Sequence, residues 1–288
     1  MTRTIDYQTV ADAVKAACIK MAFELPPDVL AALKAARLAE SNARAQRILD
    51  QLIENARLAA TEQIAICQDT GLVVAFVEQG ANAAVVPPAD RPNAVLTDAI
   101  NDGVAAGYNA GYLRKSIVAE PLNQRQNTTT NTPAIVHHRI VPGDGLHIGL
   151  MAKGGGCENK SQFRMFNPTA SVEEVKAWVV EVVKTAGPNA CPPFVVGVGL
   201  GGNFELSCLL SKKALLRDIG KANADPFYAA LETQLLAAVN ATGLGPQGLG
   251  GDTTALAVQV ETAPCHIASL PVAVNIECHA HRHAHLSL

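Results

Sequence analysis

The sequence predicts an α/β fold: a single domain of mixed sheets covered by helices, spanning residues 1–288, with an N-terminal helical section over 1–65. Three observations carry this expectation. Apolar residues make up 49% of the 288 and charged residues 17%, enough to bury a sizeable core and too apolar for disorder. The first 65 residues place apolar side chains at helical spacing. Beyond Gly71, short β-prone runs alternate with helical stretches.

The elements follow in order. Val10, Val14, Ala17, Ile19 and Met21 form a helical stripe, and the Pro26-Pro27 pair ends it. A second helical region runs over 29–63, where Ser41 and Asn42 either break it or cap a new helix. Residues 72–77, Leu-Val-Val-Ala-Phe-Val, read as a strand closed by Gly80. Residues 94–106 read as a helix. Residues 134–141 and 147–151 read as strands around the Pro142-Gly143-Asp144-Gly145 turn, hence a hairpin. Ser171 and Glu174 form a capping box that opens a helix burying Val175, Val179, Val182 and Val183. Residues 194–200 read as a buried strand, 203–217 and 226–239 as helices, and 254–260 and 272–276 as strands. No internal repeat or linker is visible.

Composition excludes several functions. The net charge of −3 gives no electrostatic reason to expect nucleic acid or an anionic membrane as partner. Aromatics at 4% argue against stacking platforms for single strands. The apolar runs fall short of the ~20 residues that span a bilayer. Asp6 and Asp12 sit where a secretory leader would be apolar. Seven cysteines, at 18, 67, 157, 191, 208, 265 and 278, form no compact disulfide framework. A reducing cytoplasm is the expected location.

Four segments carry polar and small residues that a plain core does not need. They are Cys67-Gln68-Asp69-Thr70-Gly71, the run from Lys153 through Gly154-Gly155-Gly156 to Cys157-Glu158-Asn159-Lys160, Asn189-Ala190-Cys191-Pro192-Pro193, and Cys265-His266 onward to Cys278. Three consecutive glycines read either as a flexible loop or as a backbone nest for an anion such as a carboxylate. The P-loop and dinucleotide fingerprints are absent. Cys18 and Cys208 lie in apolar stretches and read as small buried hydrophobes. Cys67, Cys191 and Cys278 lie at loop edges, but their spacing is too long for C-x-x-C zinc logic. Asp69 reads either as an Asx-turn residue or as a proton-transfer group. His266 reads either as a satisfied histidine or as a substrate or proton-transfer residue. Finally, His279, His281, His283 and His285 alternate. They read as an exposed terminal segment rather than a metal-binding strand face.

Together, C-Q-D-T-G at 67–71, K-G-G-G-C-E-N-K at 153–160, N-A-C-P-P at 189–193, G-L-G-P-Q-G-L-G-G at 243–251 and the final Cys278 resemble the class I fumarate hydratase family, which includes L(+)-tartrate dehydratase. The resemblance covers residues 10–285 and is to the α subunit of the two-subunit forms, or the N-terminal domain of the single-chain forms. It implies a hydro-lyase that hydrates fumarate to L-malate, with dehydration of L(+)-tartrate to oxaloacetate as the alternative. It implies a [4Fe–4S] cluster held by Cys67, Cys191 and Cys278, whose open iron acts as a Lewis acid. It implies Asp69 and His266 as catalytic residues, and Gln68, Arg114, Gly156 and His266 as contacts to the dicarboxylate, with Arg114 suited to bidentate carboxylate binding. The family's other half is missing, so a separate β subunit is expected to complete the site in an α/β hetero-oligomer.

Two features depart from the fumarase pattern. Cys157 stands where many fumarases have Ser, as it does in tartrate dehydratase α chains, although Glu158-Asn159-Lys160 has the fumarase form. The His-rich ending replaces a Trp- or Arg-rich one. A non-catalytic assembly partner with the same fold is the competing class, separated from the enzyme by whether the protein binds iron.

Overall fold

The computed structural model describes residues 2–288. In chain order the elements are β1 (Arg3–Asp6), α1 (Tyr7–Phe23), α2 (Pro27–Ala39), α3 (Ala43–Glu62), β2 (Leu72–Gly80), β3 (Ala83–Val86), α4 (Leu96–Ala110), β4 (Ile135–Val141), β5 (Leu146–Lys153), α5 (Gly155–Glu158), β6 (Gln162–Phe166), α6 (Val172–Ala186), β7 (Phe194–Gly201), α7 (Phe204–Ala214), α8 (Pro226–Asn240), β8 (Ala255–Ala263), β9 (Leu270–Glu277) and β10 (His283–Ser287). The fold is mixed α/β, with helices packed on mixed sheets. They form two compact units. No helix among the described residues is long and apolar enough to cross a membrane.

The first unit comprises residues up to 26, 58–153 and 282–288. Its main sheet has the order β10-β5-β2-β4. Asp6 starts α1 by accepting from Thr9 N at 3.0 Å, an N-cap. The stripe of Val10, Val14, Ala17 and Met21 is buried, with Ile19 partly so. It packs with Ile100, Val104 and the sheet residues Val73, Ala75, Val77, Ile148 and Leu150 in one core. Helices α1 and α4 approach closely, because a Cβ on Gly103 would lie 2.5 Å from Ala11 O. Only glycine fits there.

The expected hairpin of β4 and β5 does not form. Strand β2 lies between them, parallel to β4 and antiparallel to β5. The Pro-Gly-Asp-Gly turn instead serves the end of β2: Gly80 N donates to Gly145 O at 2.7 Å and Asn82 N to Gly143 O at 2.9 Å. β2 takes an interior position, where both its edges are paired and Val73, Val74, Ala75 and Val77 are buried. The chain end is also unlike the exposed tail expected. β10 pairs antiparallel with β5, and Arg282 and His283 are buried.

The second unit comprises residues 27–57 and 154–281. Its sheet order is β6-β9-β7-β8, with β7 at the interior and almost wholly buried. Three sequence signals act as read. Asn42 caps α3, accepting from Arg44 N at 2.9 Å. Ser171 and Glu174 exchange their capping-box bonds at 3.2 and 2.7 Å. Asn203 caps α7. The four valines of α6 are buried.

Between α2 and α3, the buried Glu40 carboxylate accepts from Asn42 N at 3.1 Å, Asp252 N at 2.9 Å and Thr253 N at 3.1 Å. It anchors the glycine-rich 243–252 segment to the helices. Replacing it leaves three backbone donors without an acceptor. Glu40→Ala is therefore expected to cost about 3 kcal/mol, read as a lowered denaturation midpoint in urea.

Candidate active site

In the first unit, residues 66–71 leave α3 and enter β2 as a braced loop. Gly71 adopts φ +82° with its Cα against Ala152, where a Cβ would come within 2.7 Å. Asp69 Oδ1 accepts from Gly71 N at 3.1 Å, so the Asx turn is present. That turn orients the carboxylate. Thr70 is buried and donates to Arg114 O at 2.6 Å, which ties the loop to the segment carrying Arg114. Tyr108 Oη lies 2.6 Å from Thr70 O and 3.1 Å from Gly71 O. Burial pushes the Tyr108 phenol up, keeping it a protonated donor. Asn131, fully buried at φ +61°, donates to Gly71 O at 3.1 Å and accepts from Ser116 N at 2.6 Å.

Arg282 completes the brace. It is 1% exposed, and its Nη1 donates to Asp69 O at 2.7 Å. Its Nε has no hydrogen-bond partner. A buried cation is costly, and here it sits beneath the loop that bears Asp69. Gln68 and Arg114 are exposed on this surface and Cys67 and Asp69 are half-buried. The Cys67 thiol lies 3.3 Å from Gln68 Oε1. The first unit thus presents a thiol, a carboxylate and an amide on a loop fixed by buried partners, and a guanidinium on the segment tied to it.

In the second unit, Cys191 follows a single 3-10 turn (Pro188–Ala190) in the left-handed conformation, φ 57°. Its carbonyl accepts from His279 N at 3.2 Å, so the backbone just after Cys278 lies on Cys191. His279 Nδ1 is 3.1 Å from Gln247 Nε2. Gln247 also donates from its backbone and side chain to Pro192 O, at 2.8 and 2.9 Å. The G-L-G-P-Q-G-L-G-G segment is therefore a brace for N-A-C-P-P.

Cys278 is buried. Its Sγ, Cys157 Sγ and a Glu277 carboxylate oxygen lie within 4.8 Å of one another. The triple glycine is neither a flexible loop nor an open nest: Gly155–Glu158 is the short helix α5, begun at Gly154. It buries Cys157 and leaves Gly156 exposed. A Cβ on Gly156 would meet only Asn189 O, at 3.8 Å, so space opens beside it. His266 lies on the exposed loop between β8 and β9, its Nδ1 accepting from Ala268 N at 3.1 Å.

The donor set suits a thiolate-held metal group. All seven cysteines are free thiols. Cys67 and Cys191 are half-buried at loop edges, reachable by a ligand yet shielded from bulk water. Cys18 is set apart: burial pushes its thiol up to about 12, as befits an inert core residue. Sequence reasoning missed Tyr108, Asn131, Arg282, Gln247, His279 and Glu277. Gln247, Glu277, His279 and Arg282 lay in or beside flagged segments without being singled out for these roles, and Tyr108 and Asn131 lay in none.

Comparison with known proteins identifies the class. Residues 11–287 match the family described as Fumarate hydratase (Fumerase). A Methanocaldococcus jannaschii protein named "Putative L(+)-tartrate dehydratase subunit alpha" is 37% identical over 279 residues, 96% of each chain. "L(+)-tartrate dehydratase subunit alpha" of Escherichia coli K12 is 32% identical over 259 residues, covering 90% of this chain and 84% of that one. The Shigella boydii serotype 4 protein of the same name matches to the same extent. The chain belongs to the class I fumarate hydratase family, as a hydro-lyase α subunit.

Proposed function

We propose that the chain is the α subunit of a hydro-lyase acting on L(+)-tartrate, which eliminates water to give oxaloacetate. The observation that carries this reading is that relatives matching nearly their whole length bear the tartrate dehydratase name. Cys157 after the glycines agrees with it. Hydration of fumarate to L-malate is the second reading, favoured by Glu158-Asn159-Lys160 in the fumarase form. The two substrate pairs differ by one hydroxyl, which a single buried polar contact discriminates.

The proposed cofactor is a [4Fe–4S] cluster on Cys67, Cys191 and Cys278. When bound, it supplies a Lewis-acidic iron with an open coordination position. The rest falls to side chains. Asp69, oriented by the Gly71 N–H, moves a proton at the departing hydroxyl. Arg114 takes a substrate carboxylate through paired N–H groups. Gln68, the Gly156 segment and His266 hold the remaining dicarboxylate oxygens. A β subunit brings the complementary wall and the base that removes the carbon-bound proton, in an α/β hetero-oligomer.

Arg114→Ala is expected to raise KM for the dicarboxylate at least tenfold, roughly the loss of one charge-assisted hydrogen bond. Its kcat should fall less, because that contact exists before and during reaction. Steady-state kinetics of the α/β pair check the split. The whole reading is tested by anaerobic assay of α alone and of α with β, against both tartrates, malate and a methylated fumarate. Turnover of L(+)-tartrate by the pair, and none by α alone, is the expected result. Robust turnover by the single chain would overturn the two-subunit assignment, and preference for malate would favour the second reading.

A further inference from the structure

We infer that Cys157 is a resolving thiol for Cys278, so that the iron-free protein closes a Cys157–Cys278 disulfide under peroxide. The two sulfurs lie within 4.8 Å of one another. The gap to a bond of ~2.05 Å is of a size that rotation about the two Cα–Cβ bonds covers. Both thiols face the same acceptor, with Glu277 Oε1 3.5 Å from Cys157 Sγ and 3.7 Å from Cys278 Sγ. Cys157 rides on the short helix α5, and the space beside Gly156 gives that turn room to shift.

The chemistry balances in two steps. Hydrogen peroxide oxidises the Cys278 thiol, the more exposed of the pair at 9% against 3%, to a sulfenic acid, releasing one water. The Cys157 sulfur then attacks that sulfur, forming the S–S bond and releasing a second water. Two thiols lose two electrons and two protons, and one peroxide is reduced to two waters. The disulfide holds Cys278 in a form that a thiol reductant restores, and it diverts the residue from irreversible sulfinic acid. Its bearing on activity rests on the reading of Cys278 as a cluster ligand.

The experiment treats the full-length, iron-free α subunit with hydrogen peroxide. It is then quenched in acid, alkylated under denaturing conditions and mapped by mass spectrometry. The expected product is a 157–278 linked peptide, lighter by about 2 Da than its two thiol halves, with the other cysteines alkylated. After thiol reduction the wild-type protein should regain iron uptake. Cys157→Ser should not, its Cys278 carrying two added oxygens. Full alkylation of both thiols in the peroxide-treated wild type, a link to a different cysteine, or equal recovery by Cys157→Ser would each overturn the inference. The ligand assignment fails separately: the reduced, never-oxidised protein would then take up no iron, whatever the peptide map shows.

Discussion

Asp69→Asn, loaded anaerobically and paired with its β subunit, is expected to keep its cluster absorbance and its affinity for the dicarboxylate. Its turnover should fall by about 100- to 10,000-fold, the usual cost of losing a positioned proton-transfer group. The substitution is informative because Asn makes the same Asx turn. The Gly71 N–H to side-chain oxygen bond at 3.1 Å survives, and so does the Arg282 bond to the residue's own carbonyl. Both bonds are kept while the carboxylate becomes a non-titrating amide. Near-normal turnover in a cluster-loaded Asp69→Asn enzyme would remove Asp69 from the chemistry. It would direct the search to His266 or the β subunit.

Replacing Cys67, Cys191 or Cys278 by Ser is expected to remove the iron–sulfur absorbance and with it all measurable turnover. A cubane held by three thiolates has no spare ligand to lose. Cys157→Ser is expected to retain both. The contrast matters because the structure sets Cys157 beside Cys278, where either thiol would be within reach of a metal. Cys191 is the most telling of the three. Its left-handed backbone and its bond from His279 hold its position regardless of side chain, so Cys191→Ser tests ligation rather than folding. Retained absorbance in Cys191→Ser, with loss in Cys157→Ser, would move the ligand assignment to Cys157.

Local patterns in the sequence were legible where the controlling physics is local. The Ser171 and Glu174 capping box, the Asn42 cap and the Val175-to-Val183 stripe each act within one or two helical turns. Strand pairing was not legible in this way. The Pro142-Gly143-Asp144-Gly145 turn reads as a hairpin from its own residues. What decides the pairing is the competing claim of β2, some 70 residues earlier. The His-rich ending misled for the same reason. Polar composition reads as exposure, yet His281 Nε2 meets Leu215 O at 2.8 Å and β10 completes a sheet edge.

The candidate site divides along the same line. Cys67, Asp69, Cys191 and Cys278 stood out because polar or helix-breaking neighbours marked them as loop-edge residues. The side chains that fix those loops carried no local mark. Tyr108 lies past the helix read over 94–106, Asn131 lies in no motif, and Arg282 lies in the His-rich ending read as exposed. Each acts on a segment 37 to 213 residues away in the chain. Their roles follow from hydrogen bonds that only the folded chain brings together.

The measurement that bears most directly on the account is the iron and acid-labile sulfide content of the α subunit, purified and reconstituted without oxygen. A brown protein with about four irons per chain, bleached by air and absent from Cys67→Ser, is the result the account predicts. A colourless, iron-free protein after anaerobic reconstitution would contradict it and leave a non-catalytic assembly partner as the reading of this fold.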